Sequence, residues 1–468
     1  MKKWIEFLVS LVVIILITYD LMGLMVKGTL NKIINTMPQN SIMSVQLDKF
    51  QHGWFSSKAL WVFKMHIPAQ TITDKNGVPQ TEPPLDFEVT LPITLKHGPV
   101  FFTNDGIRFG IGAITTQPET HYGAFINFLN QIIIKYNLPS FGIRTKEAPN
   151  NGEFQFNWMG LNALLRLSSD IDNLDSYLKF YGIDGSGNNS VFKIGTLTYT
   201  FNSKRIQEWL WVGQSHFNIS SISVTSNNQN ILDLKEFDFI LSSDVTNEIL
   251  NFDCKLSLQK LLANNQNYSP AILKLSLKNL DPEVMAKLNK QTFSMLQNSD
   301  SHLVALGLAT ELPKLLSKGP ILELSEMTIN LPEGKIVGNF KISLPQTKIN
   351  DLSKAMQQAQ GQGYFKAPIT IVKELMASSI KSNLSQQAEQ TSQNPSTLPQ
   401  SPANPTSIAT DLDEEAKNQT NQILQNLVEK DFLKIKDKDY ILQFKLENQQ
   451  LIVNGKLFTP DMLTFPLN

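Results

Sequence analysis

The chain contains one cysteine, Cys254, among its 468 residues. A single thiol excludes an intrachain disulfide and every zinc site that needs two or more thiolates. Cys254 lies in an alternating stretch, residues 251–256, which predicts a small side chain packed in a sheet. A nucleophilic role would need a lowered thiol pKa, and no sequence neighbour supplies the charge for it.

Neither sign of charge is in excess, because 41 basic and 42 acidic residues give a formal net charge of -1. Such a balance creates no overall field that would attract nucleic acid or an anionic surface. Dense runs of Lys and Arg are also missing. We therefore expect no nucleic-acid partner.

The motifs of local catalytic chemistry are absent as well. The sequence has no G-x-S-x-G elbow, phosphate loop, dinucleotide fingerprint or H-E-x-x-H pair, and no two histidines are spaced for a helical metal site. The six histidines are His52, His66, His97, His121, His216 and His302. The sequence thus predicts no catalytic, cofactor-binding or metal-ligating residue and no cofactor, and we interpret the protein as a non-enzyme. The alternative is a periplasmic hydrolase whose acidic residues meet only in the fold.

Only one hydrophobic run is long, and it lies near the N-terminus. Residues 7–26 follow Lys2 and Lys3 and reach the roughly 20 residues that a helix needs to cross a bilayer. Asp20 is the one ionised group inside the run. Residues 22–27 do not offer the pair of small residues that a signal-peptidase site needs. We expect one retained transmembrane helix, with its short charged N-terminus inside the cytoplasm and the bulk of the chain outside.

Alternation of apolar and polar residues dominates the rest of the chain and predicts β-strands. The alternating segments are residues 85–91, 107–112, 192–194, 197–201, 217–220, 222–224, 232–235, 237–239, 272–280, 322–331, 338–344 and 440–446. Two hairpins are predicted, over residues 327–342 and 441–457, with short polar connections. The predicted fold class is α+β, mainly β, with a long antiparallel sheet, a few helices and the N-terminal transmembrane helix.

Helical spacing of apolar residues is rarer. It predicts helices over residues 122–136, 161–180, 282–296, 303–316, 369–384 and 412–428, with Asp281 as the N-cap of the third. Residues 386–407 are rich in Gln, Ser, Asn, Pro and Thr, which predicts a disordered segment. The resulting division is an anchor (1–28), a β-rich periplasmic body (29–385), a polar insertion (386–410), and a helix with a C-terminal hairpin that completes the body (411–468).

Four short segments carry a family resemblance when they are taken in order after the anchor. They are His52-Gly53-Trp54-Phe55-Ser56-Ser57, His97-Gly98-Pro99, Gly319-Pro320 with the following hairpin, and Asn454-Gly455-Lys456. Together they resemble the YdgA-like family of bacterial proteins of unknown function. The resemblance implies a single-pass protein of the bacterial inner membrane that faces the periplasm, and it supplies no catalytic residues.

The first of these segments also has a structural interpretation. We expect Trp54 and Phe55 to cap the core at a tight turn and His52 to be solvated, and Asn454-Gly455 to form a turn at the sheet rim. The leading functional hypothesis is a non-enzymatic envelope protein whose sheet binds or shelters lipid acyl chains or a protein, by analogy with AsmA-like proteins. A third hypothesis is a scaffold that binds a partner at an exposed sheet edge.

Overall fold

The computed structural model describes residues 2–36, 43–67, 70–73, 79–82, 85–103, 106–116, 122–145, 154–187, 189–227, 229–296, 311–346, 357–392 and 405–459. Its helices are α1 (Lys2–Thr36), α2 (Pro282–Leu296), α3 (Ile369–Ser392) and α4 (Pro405–Glu429). A helical turn at residues 311–315 continues into the 3-10 helix Leu316–Lys318.

Strands make up most of the described chain. They are β1 (Met43–Gln51), β2 (Ser56–Ile67), β3 (Gln70–Thr73), β4 (Pro79–Glu82), β5 (Leu85–His97), β6 (Val100–Thr103), β7 (Gly106–Phe109), β8 (Gly112–Thr116), β9 (Tyr122–Ile126), β10 (Gln131–Leu138), β11 (Phe141–Thr145), β12 (Phe154–Trp158), β13 (Leu161–Ser168), β14 (Asn173–Phe180), β15 (Ile183–Gly187), β16 (Ser190–Ile194), β17 (Leu197–Gln207), β18 (Leu210–Ser226), β19 (Gln229–Thr246), β20 (Ile249–Ala263), β21 (Gln266–Asn267), β22 (Ala271–Leu280), β23 (Ile321–Leu331), β24 (Gly334–Ser343), β25 (Gln360–Pro368), β26 (Lys434–Lys436), β27 (Asp439–Glu447), β28 (Gln450–Val453) and β29 (Lys456–Phe458).

Most of these strands form one antiparallel meander, in which each strand pairs with the next long strand along the chain. The central order is β10-β13-β14-β17-β18-β19-β20-β22-β23-β24-β25-β27. Before it come β1-β2-β5-β8-β9, which joins β10. Consecutive pairing with short turns is the arrangement that an antiparallel sheet favours, and it confirms the predicted fold class.

Neighbouring strands of the sheet are interrupted at matching positions. Strands β12 and β13 are separated by residues 159–160, and β14 and β15 by residues 181–182. Gly160 and Gly182 have φ values of 110° and 127°, which favour glycine. A Cβ at Gly182 would lie 2.6 Å from the carbonyl oxygen of Ile194. Glycine therefore permits the backbone conformation at these interruptions.

Helix α1 belongs partly to the body. Its 35 residues span about 52 Å at the α-helical rise. In its C-terminal half, Val26 is 0% exposed and forms one buried cluster with Leu30 and Ile33 of the same helix and with Leu95 and Ile126 of the sheet. Val26, the last residue of the predicted span, is therefore a core residue in the structure. Hydropathy alone does not separate apolar residues that face lipid from those that face a protein core.

Two further contacts join the C-terminal half of α1 to turns between strands. The Thr29 hydroxyl donates a hydrogen bond to Asn130 Oδ1 in the β9–β10 turn. Lys32 Nζ lies 3.7 Å from Asp170 Oδ2 in the β13–β14 turn. Both ends of the ion pair are exposed, so it adds little stability.

The other helices pack at the margins of the meander. Helix α2 begins at Asp281, whose carboxylate accepts hydrogen bonds from the backbone N–H groups of Glu283 and Val284, as the N-cap prediction requires. It covers Leu250 and Leu280 at one edge of the sheet. Helices α3 and α4 pack on each other and on β25 and β27.

Two helix predictions were wrong. Residues 122–136 form β9 and β10, and residues 161–180 form β13 and β14. In the first, the turn residues Phe128 and Leu129 are exposed, and they imitate helical spacing when they are combined with the apolar faces of the flanking strands. The helices predicted over residues 282–296, 369–384 and 412–428 are confirmed, and residues 303–310 lie outside the described chain.

The predicted polar insertion also needs correction at its ends. Helix α3 continues to Ser392 and helix α4 begins at Pro405, so polar residues at both ends of the segment are helical. Ser, Asn and Gln disfavour a helix only weakly, so a polar composition does not exclude one. Residues 393–404 lie outside the described chain.

Candidate functional site: a helix junction and an apolar sheet face

The point where α1 meets the body is the first candidate site. Asp20 Oδ1 of α1 lies 2.7 Å from Nε2 of His52, which follows β1. The His52 ring stacks on the ring of His97, the last residue of β5, with centroids 5.6 Å apart and planes inclined by 19°. We call Asp20, Gly23, His52, Ser57 and His97 the junction cluster.

Gly23 makes this packing possible. A Cβ at this position would lie 2.5 Å from Cε1 and Nδ1 of His97 and 2.8 Å from Cε1 of His52. Real Cβ atoms do not approach other heavy atoms so closely, so only glycine lets the two rings lie against the helix. Gly28, five residues later, has open space around its Cβ position.

The junction cluster contains the Ser, His and Asp of a serine hydrolase, but its serine is not accessible to a substrate. Ser57 Oγ lies 3.4 Å from His52 Nδ1, and His52 Nε2 contacts Asp20. A nucleophile must reach a substrate carbonyl, yet Ser57 is fully buried. We therefore assign the cluster a structural role in fixing α1 to the body.

His97 is the electrostatically unusual member of the cluster. It is buried, and within the described residues neither ring nitrogen makes a hydrogen bond. Burial lowers the pKa of His97 below its ordinary value of 6.5, while the Trp54 backbone has a smaller, opposite effect. The imidazole is therefore neutral near pH 7, as desolvation requires.

The structure contradicts one predicted role in the first motif and confirms the other. Trp54 and Phe55 are 57% and 54% exposed, so they do not cap the core. His52 is exposed, as predicted. The aromatic pair precedes β2, which starts at Ser56, and the buried positions at the start of this strand are occupied by the small Ser57 and Ala59. The aromatic residues are therefore available for contact with a partner.

The second candidate site is one face of the meander. Residues directly opposite each other on neighbouring strands share a face, so register can be followed from strand to strand. One row runs through Tyr199, Phe217, Phe239, Leu256, Leu273 and Met327. The next row on the same face runs through Phe201, Ser215, Leu241, Cys254, Leu275, Leu324 and Phe340. We call these two rows the apolar face.

The opposite face is polar. Along β22, Lys274 alternates with the apolar Leu273 and Leu275, and its Nζ lies 2.8 Å from Glu326 Oε2 on β23. Farther along the same face, His216 Nε2 lies 2.8 Å from Asp238 Oδ1. This face therefore interacts with water and with its own ion pairs.

The apolar face is only partly covered. Leu241 is 43% exposed, and Phe217, Phe239 and Leu256 remain partly accessible. In the part of the chain that the structure describes, helix α2 packs on this sheet near the strand ends. Full burial of a leucine or phenylalanine side chain contributes about 1.5–3 kcal/mol to stability. Covering these half-exposed side chains with a ligand would therefore be favourable.

A concave pocket of about 320 Å³ lies on the apolar face. Three small residues line part of it in direct register, Ser203 of β17, Gly213 of β18 and Ser243 of β19. Larger apolar side chains surround them: Phe201, Trp211, Val212, Leu241, Phe252, Leu275 and Leu277. The volume is at the small end of ligand pockets, about 300–1,000 Å³, and its lining favours an apolar ligand.

Cys254 lies at the edge of this pocket. Burial raises the pKa of its thiol, which is the opposite of what a nucleophile needs. The predicted position of Cys254 in a strand is confirmed. Among the described residues, no group of three or more His, Cys, Asp or Glu is arranged to hold a metal ion.

Comparison with known proteins identifies a family. A family model described as "Bacterial protein of unknown function (DUF945)" matches residues 1–461. The chain belongs to this family. No curated protein and no solved structure gives a significant match to it.

The structure shows what the segments behind the sequence resemblance do in this DUF945 member. The His52 and His97 segments meet in the junction cluster. Gly319 ends the 3-10 helix with φ of 77°, and its carbonyl accepts a hydrogen bond from Asn279. The Asn454 side chain donates to two backbone carbonyls and supports the predicted turn. Only the junction could not be inferred from local sequence, because its two histidines are 45 positions apart.

Proposed function

We propose that the protein is a membrane-anchored, non-catalytic binding protein whose apolar face takes up the acyl chains of lipids. The observation that carries the proposal is the uncharged, register-matched apolar face that remains partly open. The proposal has two parts, an anchor and a ligand surface, and they rest on different residues.

The anchor part rests on α1. The helix is long and apolar enough to cross a membrane, and residues 2–22, which end beside Gly23 and include Asp20 of the junction cluster, span about 31 Å. Ile14, Ile17 and Leu21 on this part are more than half exposed. A signal sequence satisfies the same criteria of length and composition, but Val26 and Leu30 are core residues, which favours a helix that stays with the protein.

The proposed placement in the cell is supported by the sequence. Lys2 and Lys3 before the apolar segment favour a cytoplasmic N-terminus, which leaves the β-rich body in the periplasm of a bacterial cell. The YdgA-like resemblance of the four segments supports the inner membrane as the anchoring membrane.

The choice of acyl chains rests on chemistry and continuity. Neither row of the apolar face contains a charged residue, so a polar headgroup or peptide would find few partners there. The same face reaches the anchor: Ile132 pairs with Leu167, which pairs with Leu174, and the first two belong to the buried cluster around Val26. Leu174 in turn pairs with Ser203, two residues from Phe201 on the same face, so a lipid leaving the bilayer beside α1 would meet apolar and small uncharged side chains along this line. Each methylene buried in such a surface contributes about 0.8 kcal/mol.

Cys254 provides a direct test. We would measure the rate of maleimide modification of the full-length protein in detergent, at mildly alkaline pH, with and without palmitic acid. Bound acyl chain should slow modification of Cys254 several-fold, because the thiol borders the pocket. The matched control is Cys254→Ser with Ser257→Cys, which places the single thiol on the opposite face.

In the control, the rate should not respond to palmitic acid. Equal rates with and without the fatty acid at Cys254, or equal protection on both faces, would contradict the ligand part of the proposal.

The hydrolase alternative remains a prediction. The Asp and Glu side chains described above on the polar face pair with Lys or His, and none of those pairs lines the pocket on the apolar face.

A further inference from the structure

Four large apolar side chains project from the body where α1 leaves it. Trp54 and Phe55 precede β2, and Ile107 and Phe109 lie on β7, where they are 60% and 64% exposed. Single exposed apolar residues are ordinary on protein surfaces. Here Phe55 contacts Tyr19 of the helix, and the hairpin that carries Ile107 and Phe109 follows Gly98, which also lies against Tyr19.

Trp54 and Phe55 are held in place by the junction. The carbonyl oxygen of Phe55 accepts a hydrogen bond from the His97 backbone N–H at 2.8 Å. The Phe55 ring makes an edge contact with Tyr19 of α1, with centroids 5.2 Å apart. The exposed aromatic pair therefore lies beside Tyr19, the residue before Asp20, where α1 leaves the body.

The β6–β7 hairpin begins at the same level. Gly98, two residues before β6, lies against Tyr19, because a Cβ there would be 2.3 Å from Tyr19 Cε1. Phe101 and Arg108 form the inner side of the hairpin and lie over the Phe125 ring. Ile107 and Phe109 are on the opposite side by strand alternation, which accounts for their exposure.

We infer that Trp54, Phe55, Ile107 and Phe109 form a collar that inserts into the bilayer interface around α1. This inference rests on the anchor part of the proposed function and not on the acyl-chain part. Tryptophan and other aromatic residues favour the interface, where an apolar ring and a polar edge are both accommodated. The helix immediately before Tyr19 exposes Ile14, Ile15 and Ile17, so apolar surface continues from the collar along the membrane-spanning part.

The collar also explains the charges nearby. Asp20 would be costly inside the hydrocarbon, and its contact with His52 occurs at the collar, on the headgroup side of the apolar residues. With the four side chains in the interface, the body cannot swing freely on α1. The strands next to the helix are then held close to the bilayer surface.

The test uses the full chain with Cys254→Ser and one introduced cysteine at a time: Ile14→Cys, Trp54→Cys, Phe109→Cys or Leu457→Cys. Each variant is nitroxide-labelled and reconstituted in phosphatidylethanolamine–phosphatidylglycerol vesicles. Relaxation by oxygen is compared with relaxation by a water-soluble nickel complex. Leu457 is the control, because it is exposed on β29 and far along the chain from the anchor.

The labels at Trp54 and Phe109 should show an oxygen-to-nickel ratio several-fold above that at Leu457, with Ile14 higher still. If Ile14 is in lipid while both collar positions match Leu457, the collar inference is wrong and the anchor stands. If Ile14 is also accessible to the nickel complex, the anchor itself fails. Circular dichroism of each labelled variant confirms that it is folded before it is compared.

Discussion

Gly23→Ala is the most informative single substitution at the helix junction, because Gly28→Ala in the same helix is a matched control. In a helix interior, replacing glycine by alanine normally stabilises by about 0.5–1 kcal/mol. At Gly28 there is open space for the methyl group, so we expect the full gain. The two substitutions have the same intrinsic effect on the helix and differ only in what the new Cβ meets.

At Gly23 the new methyl group would lie 2.5 Å from two atoms of the His97 ring and 2.8 Å from His52. Both rings would have to move, and overpacking of this kind costs about 1–3 kcal/mol. The helix gain offsets part of it. We therefore expect the free energy of unfolding of Gly23→Ala to lie about 1–3 kcal/mol below that of Gly28→Ala.

The assay is urea unfolding of the full-length variants in one detergent, followed by far-UV circular dichroism. The double variant Gly23→Ala with His97→Ala should lose less than the sum of the single losses, because removing one ring makes room for the methyl group. Equal stabilisation by both glycine substitutions would refute the packing of the histidine rings on α1.

Three further predictions follow from the same region. Because burial lowers the pKa of His97, the unfolded chain binds more protons below about pH 6.5, so the thermal midpoint should fall as the pH drops through that value, and His97→Gln should weaken the dependence. Leu30→Ala should destabilise the body by about 2–5 kcal/mol in urea unfolding, whereas Ile14→Ala should leave it unchanged, since Leu30 is buried and Ile14 exposed. Trp54→Ala should change the free energy of unfolding by no more than about 0.5 kcal/mol. A loss of several kcal/mol would show that Trp54 is a core residue and contradict its exposed position.

The sequence predicted the strands well because alternation is a local signal. Every alternating segment, from residues 85–91 to 440–446, lies in the sheet or its hairpins, and the turn at Asn454 is where it was expected. Alternation also implies that one face of the sheet is apolar. It does not say whether another layer covers that face, which depends on where α2, α3 and α4 pack.

The junction could not be predicted, because its residues are brought together by pairing over long separations. His52 and His97 are joined only when β2 pairs with β5, and Gly23 lies in a segment whose composition predicts lipid contact. The same limit explains the wrong role for Trp54. A motif indicates a turn, but which of its side chains point inward depends on the register of the strand that follows.

The most direct test of the central claim is photo-crosslinking with a phospholipid that carries a diazirine at the end of an acyl chain. Full-length protein in vesicles would be irradiated and digested, and the modified residues located by mass spectrometry. Adducts on α1 report the surrounding bilayer and serve as an internal reference. We predict additional adducts on the apolar face of β18–β20, reduced by Leu256→Lys and unaffected by Ser257→Lys on the other face. Adducts confined to α1 and the collar, with none on the sheet, would contradict acyl-chain binding by this protein.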